Sequence, residues 1–274
     1  MQSLYGAIAN YKLKKNMAIS VDKVYQKVLA LANKEQRGYI TPQEFNLFAD
    51  HAQMDIFEQY FYDLQQRKKT PGTDSDYADI VTNIEEKISI FEVHNQPVGI
   101  QTGGNIYISS NFPDLYRLNL VQVSYVKGGS GFKIADEIQQ SELRKYENSP
   151  LAIWTKTRPV YVKSSTLTNP ITIKLYPNAD NYTHPISGNV TNDSVNISYI
   201  KKPKSPNWTY VIGTNKSALY NPSAADHQDF ELHPAEENNL VFKILQLAGI
   251  AIKDFQLAGV AAQEEMKDIQ QEKI

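Results

Sequence analysis

The run Asn33-Lys34-Glu35-Gln36-Arg37-Gly38-Tyr39-Ile40-Thr41-Pro42-Gln43-Glu44 has the outline of a twelve-residue calcium loop, with Gly38, Ile40 and Glu44 at its sixth, eighth and twelfth positions. Asn33 and Glu35 offer oxygens at the first and third. Arg37 stands at the fifth, where such a loop needs another oxygen, and its positive charge opposes a cation. Thr41 and Glu44 fit equally well as a capping box, with Pro42 in the first helical turn and Gly38 in a tight turn. The expectation is therefore a helix start with no metal. A calcium-responsive binding module using Asn33, Glu35 and Glu44 is the alternative from a different functional class.

Other reactive side chains are scattered. The five histidines, His51, His94, His184, His227 and His233, show no spacing that sets two metal ligands on one helix face. The densest polar cluster is Asp226, His227, Asp229, Glu231 and His233; side chains ahead of a helix generally cap it or pair across a contact. Gly128-Gly129-Ser130-Gly131 lacks the Lys-Ser/Thr of a phosphate loop and reads as a hairpin tip. No nucleophile elbow is present, and carboxylate pairs cannot be assigned from spacing alone. No cofactor and no catalytic residue is expected.

Helical elements must flank a strand-rich middle if these residues are to be positioned at all. Val24, Tyr25, Val28, Leu29 and Ala32 recur at helical spacing over about residues 21–33, and Phe45 to Leu64 carry the same spacing from a Thr41 cap to a break near Lys68-Lys69-Thr70-Pro71-Gly72. Residues 1–70 thus read as an arm and a helical hairpin. Residues 71–230 read as an antiparallel β-rich domain, with strands over 87–94, 105–109, 118–127, 153–163, 172–176 and 195–200 and a short helix near 136–146. Residues 231–274 read as a long C-terminal helix opened by Pro234, with Glu236 and Glu237 in its first turn. The fold class expected is α+β.

The last helix carries a stripe of Leu240, Ile244, Leu247, Ala251, Phe255 and Ala258 and a second apolar face at Val241 and Leu245, more than one narrow contact covers. Together with Phe57 and Phe61 these residues are the interface candidates. Lys243, Lys253 and Asp254 inside the run argue against a membrane span.

A net charge of −2 gives no field for gripping a phosphate backbone or an anionic bilayer. The absence of cysteine removes disulfides and thiol chemistry. Met1 to Asn16 is too polar for a secretory leader, so synthesis in the cytosol is expected. The 17 tyrosines suit half-buried, half-wet positions such as subunit contacts.

Three segments carry a resemblance: Gln36-Arg37-Gly38-Tyr39-Ile40-Thr41-Pro42-Gln43-Glu44-Phe45-Asn46, Pro203-Lys204-Ser205-Pro206-Asn207-Trp208, and Asp229-Phe230-Glu231-Leu232-His233-Pro234-Ala235-Glu236-Glu237. In this order the chain resembles virion structural proteins of crAss-like and related short-tailed phages. The resemblance implies a head-to-tail connector or neck ring protein, a twelve-fold homo-oligomer meeting the portal and adjacent neck or tail rings. It also implies DNA passing through the channel without sequence-specific binding, a virion location in the neck and tail region, synthesis in the host cytoplasm, and no enzymatic activity.

Overall fold

The computed structural model describes residues 18–34, 40–69, 74–98, 105–108, 112–125, 131–164, 171–177, 195–213, 218–251, 263 and 266–267. The chain is α+β and divides into two units, one built from residues 1–90 together with 203–274, the other from 91–202. The three-part division expected at 70 and 230 is thus corrected. The N-terminal and C-terminal helices belong to a single unit, and the β-rich unit is shorter at both ends.

The helical unit opens with α1, Val21–Lys34, whose Val21, Val24, Tyr25, Val28 and Ala32 are buried on one face. It continues with α2, Pro42–Lys69, which buries Phe45, Ala49, Ala52, Ile56, Phe57, Tyr60 and Phe61. A third helix, α3, spans Asp74–Ser89 where the β-rich domain was expected to begin, and the strand expected over 87–94 starts instead at Glu92. Tyr77, Ile80, Ile84 and Ile88 carry three-four spacing, but the Pro71-Gly72 break and the β-branched residues after it obscure the period. The helix packs beside α2.

The β-rich unit holds two four-stranded sheets. In the first, β1 (Glu92–Pro97), β3 (Leu115–Val123), β4 (Lys133–Ile134) and β8 (Val195–Lys201) run in the order β1-β8-β3-β4, every pair antiparallel. In the second, β2 (Asn105–Tyr107), β5 (Asp136–Ile138), β6 (Val160–Ser164) and β7 (Thr172–Tyr176) run in the order β2-β7-β6-β5, with β5 parallel to β6. Leu118, Val121, Val123, Val195, Ile197 and Tyr199 of the first sheet share one core with Ile106, Tyr161, Ile173 and Leu175 of the second. The unit is therefore a sandwich whose two sheets share one inner core, with a bulge in β3 between Leu118 and Leu120.

The second sheet is covered on its other face too. Val160 and Val162 point away from Tyr161 and join Ile138, with Leu143, Tyr146, Trp154 and Tyr176 packed against them. This double coverage explains why β6 does not alternate apolar with polar. It also corrects the helix expected near 136–146: residues Asp136–Ile138 pair with β6, and α4 begins later, at Leu143–Asn148. Residues 153–159 form a turn rather than strand, Thr155 and Arg158 pairing main chain to main chain in both directions.

The chain then returns to the helical unit through a two-stranded ribbon, β9 (Tyr210–Ile212) and β10 (Ala218–Tyr220). A 3-10 turn at Pro234–Glu236 leads into α5, Glu237–Ala251. Leu240, Val241, Ile244, Leu245 and Ala248 of α5 are buried, and α5 packs against both α1 and α2. These five side chains are covered by the chain itself.

Candidate functional site

Helix α2 begins as its sequence requires. The Thr41 N–H donates to Glu44 Oε2 at 2.9 Å and the Glu44 N–H donates to Thr41 Oγ1 at 3.3 Å, a reciprocal capping box. The bond from the Thr41 main chain holds the Glu44 carboxyl below the usual carboxylate range, with the Thr41 hydroxyl adding to the effect. Glu44 is thus committed to the cap. Asn33 falls in the last turn of α1 and Glu35 lies outside the described residues, so of the candidate calcium ligands only Glu44 has a visible role.

One turn further on, α2 places two amides among its apolar residues, seven apart and on the same face. Asn46 donates to Asn207 Oδ1 at 2.8 Å and to the Trp208 carbonyl at 3.3 Å, and its own oxygen accepts from the Trp208 N–H at 2.9 Å. Gln53, fully buried, donates to the Lys204 carbonyl at 2.8 Å and accepts from the Glu231 N–H at 3.1 Å. These bonds satisfy main-chain groups that would otherwise be buried bare against a helix. They fasten the 204–208 and 229–232 segments onto α2.

Trp208 sits at the centre, 2% exposed. Its indole N–H donates to Asp22 Oδ1 at 2.9 Å. Its ring lies 4.5 Å from Tyr25 and is stacked with Tyr210 and Tyr220 at 5.7 and 5.8 Å. Tyr210 and Tyr220 are opposite each other in the β9–β10 ladder, so this ribbon face is anchored on the indole.

The polar cluster ahead of α5 resolves into fastenings. Asp229 Oδ1 accepts from the Val21 N–H at 2.9 Å and so caps α1, while Phe230 bridges to Ile19. His227 Nε2 and Tyr220 Oη are 2.8 Å apart. Burial first, then the charges of Asp229 and Asp22, push the Tyr220 hydroxyl upward and keep it neutral. His233 Nδ1 accepts from the Ala235 N–H, and Asn207 donates to Asp226.

Both carboxylates at the start of α5 are paired. Glu236, 2% exposed, lies 2.6 Å from Lys87 of α3 and accepts from Asn239 at 2.8 Å. Glu237 meets Lys23 at 2.8 Å and Lys27 at 2.5 Å, both on α1, and those bonds lower its carboxyl. The 3-10 turn therefore holds α3 through Glu236, and the first turn of α5 holds α1 through Glu237 as well as complementing its own dipole.

The interface candidates fall inside this construction. Leu240, Ile244 and Phe57 are fully buried and Phe61 nearly so, Phe57 and Phe61 meeting edge to face at 5.1 Å. These four are core residues of the helical unit rather than surface. Leu247 is half-buried, Ala251 ends α5, and Phe255 and Ala258 lie outside the described residues. Apolar side chains left in solvent are elsewhere: Val211 at 55%, Ile212 at 73% and Leu219 at 56% on the ribbon, Leu47 and Tyr62 on α2, and Leu151 in the β-rich unit.

What this arrangement does chemically is join. Among the described residues no three of the histidine, aspartate and glutamate side chains converge to hold a metal ion, and no helix is long and apolar enough to cross a membrane. The roles of Asn46, Gln53 and Trp208 were missed in the sequence. The signal for Asn46 and Gln53 was there, since an amide inside an apolar helical stripe must find a partner.

No family model matches the chain, and no curated protein matches it.

Proposed function

We propose that this chain is a non-enzymatic structural subunit of a tailed-phage particle, forming an oligomeric ring in the portal, neck or tail connector through which DNA passes. The observation that carries the reading is the meeting of the three resemblance-bearing segments. Thr41–Asn46, Pro203–Trp208 and Asp229–Glu237 are far apart in sequence, yet Asn46, Gln53 and Asp229 tie them into one unit. Motifs that depend on one another in this way travel together as a fold, which supports a likeness of architecture over a chance likeness of short strings.

Assembly is supported by apolar surface that the fold leaves uncovered. Val211 and Leu219 face each other across the ribbon on the side away from Trp208, both more than half exposed. Such surface on a water-exposed ribbon fits a subunit covered by neighbours. A net charge of −2 fits a channel past which DNA must slide without being gripped. Twelve copies, a portal partner and synthesis in the host cytoplasm come with the resemblance.

Purified particles test the reading. Mass spectrometry should find the chain among the particle proteins, and particle reconstruction should find it as a ring at the neck or tail. Its absence from purified particles, or its presence only in the head shell, would overturn the proposal.

A further inference from the structure

We propose that copies of this chain associate heterologously, the turn around Leu151 of one copy seating on the outer face of α2 of the next. The inference rests on the oligomeric reading above and names the contact that reading lacks.

Leu151 is 93% exposed, the highest value among the exposed large apolar side chains described. It is held there. Ser149 accepts from the Ala152 and Ile153 N–H groups at 3.3 and 3.0 Å, the Trp154 ring packs at a tilt against Tyr176 at 5.0 Å, and Thr155 and Arg158 close the following turn at 3.2 and 3.0 Å. A preformed turn that holds a leucine fully in water has the form of a knob awaiting a socket. Ile153, 41% exposed, lies beside it in the chain.

The segment that carries the knob is basic in sequence. Residues 142–158 contain Arg144, Lys145, Lys156 and Arg158 against Glu142 and Glu147, a net +2 in a chain whose total is −2. The complementary surface is on α2. Leu47, His51, Asp55, Glu58 and Tyr62 follow one another at steps of four, four, three and four, so they form one stripe about 22 Å long. Leu47, His51, Glu58 and Tyr62 are exposed, Leu47 at 72% and Tyr62 at 65%, and Asp55 is half-buried with its carboxylate 3.9 Å from His51. From Pro42 to Gln66 the chain has five acidic residues and no lysine or arginine. The stripe thus offers an acidic middle between two exposed apolar side chains.

Apolar knob and basic flank on one patch, apolar ends and acidic middle on another, give complementarity between two different surfaces of one molecule. Contacts of that kind repeat from copy to copy and close into a ring when the rotation allows. A bilayer is a poorer occupant, because Glu142 and Glu147 interrupt the basic flank and Trp154 is committed to Tyr176. Nucleic acid is poorer still, since a leucine offers a phosphate backbone nothing.

Two charge-swapped forms of the full-length chain test the contact: Asp55→Lys with Glu58→Lys, and Lys145→Glu with Arg158→Glu. Sedimentation velocity at about 50 mM salt limits screening. A protein concentration near 100 µM lies well above a micromolar Kd. Wild type should associate, each variant alone should bind itself at least about tenfold more weakly, and a one-to-one mixture should recover assembly because each variant then meets its opposite charge. Circular dichroism checks that both variants are folded, and Leu151→Asp, at a position in open solvent, supplies an independent disruption. A monomeric wild type, either variant associating like wild type, or a mixture that stays monomeric overturns the proposal. Binding by wild type only to anionic vesicles overturns it in favour of a membrane surface. Detection of the chain in purified particles is independent of all these outcomes, so the contact can fail while the particle reading stands.

Discussion

Asn46→Ala should uncouple the 203–208 segment from α2, and its cost follows from three hydrogen bonds. The substitution removes the donor to Asn207 Oδ1 at 2.8 Å, the donor to the Trp208 carbonyl at 3.3 Å and the acceptor for the Trp208 N–H at 2.9 Å. Each bond is worth about 0.5–1.5 kcal/mol net, and an abandoned buried N–H costs about 1–3 kcal/mol more. The site is half-buried, so water recovers part of this, leaving about 2–3 kcal/mol. For a unit of this size the melting temperature should fall by about 4–12 °C. Trp208 supplies the probe, because the only other tryptophan is Trp154 in the β-rich unit. In a Trp154→Phe background, fluorescence-detected urea unfolding then reads the helical unit alone. Leu47→Ala, one residue along and 72% exposed, should stay within about 0.5 kcal/mol of wild type. Asn46→Asp keeps the acceptor for the Trp208 N–H but turns a charged oxygen toward Asn207 Oδ1 and the Trp208 carbonyl, so it should cost at least as much as Asn46→Ala. If Asn46→Ala were as mild as Leu47→Ala, the fastening role of the amide would be refuted.

Glu236→Ala should destabilise the helical unit by about 2–3 kcal/mol by removing, at a largely buried site, the carboxylate that Lys87 meets at 2.6 Å and that accepts from Asn239. In a double-mutant cycle with Lys87→Met, measured by urea unfolding, the pair should cost less than the sum of the singles by about 1 kcal/mol or more. Thr41→Ala should cost about 1 kcal/mol through loss of the cap. Because the folded-state pKa of Glu44 is depressed, its contribution is present above the ordinary carboxylate pKa and lost as pH falls through the folded value, so Glu44→Gln should flatten the acid limb of stability against pH. Millimolar calcium should leave the wild-type melting temperature unchanged; a rise abolished by Glu44→Gln would favour the calcium-responsive module. In the β-rich unit, burial first and then Asp114 push Tyr199 up to about 12. That contribution is complete below the ordinary tyrosine pKa and lost as pH rises through the folded value, so Tyr199→Phe should lessen the alkaline loss of stability read by Trp154 fluorescence.

How much of the molecule was legible beforehand depended on how far each determinant reaches along the chain. The start of α2 was readable because the capping box closes over three residues, and β7 was readable because Thr172–Tyr176 carries its own strand propensity. The apolar stripe of α5 was readable as a buried face. What buries it was not: the same pattern serves a neighbour's surface or the molecule's own core, and only the packing of α1 and α2 on α5 decided for the core. The parallel placing of Asp136–Ile138 likewise depended on β6, whose Val160 lies 24 residues beyond Asp136.

The candidate site divides along the same line. Sequence alone pointed to Thr41 and Glu44 as a helix cap and to the polar residues before α5 as capping groups or contacts across an interface. It also supplied the amides Asn46 and Gln53 inside an apolar stripe, a demand for partners without their identity. Tertiary structure decided that Asn46 would hold Trp208, 162 residues away, and that Asp229 would cap α1 across 208 residues. The physical reason is that a buried hydrogen-bonding group specifies only that a complement must arrive, while which one arrives is fixed by the packing of the whole unit.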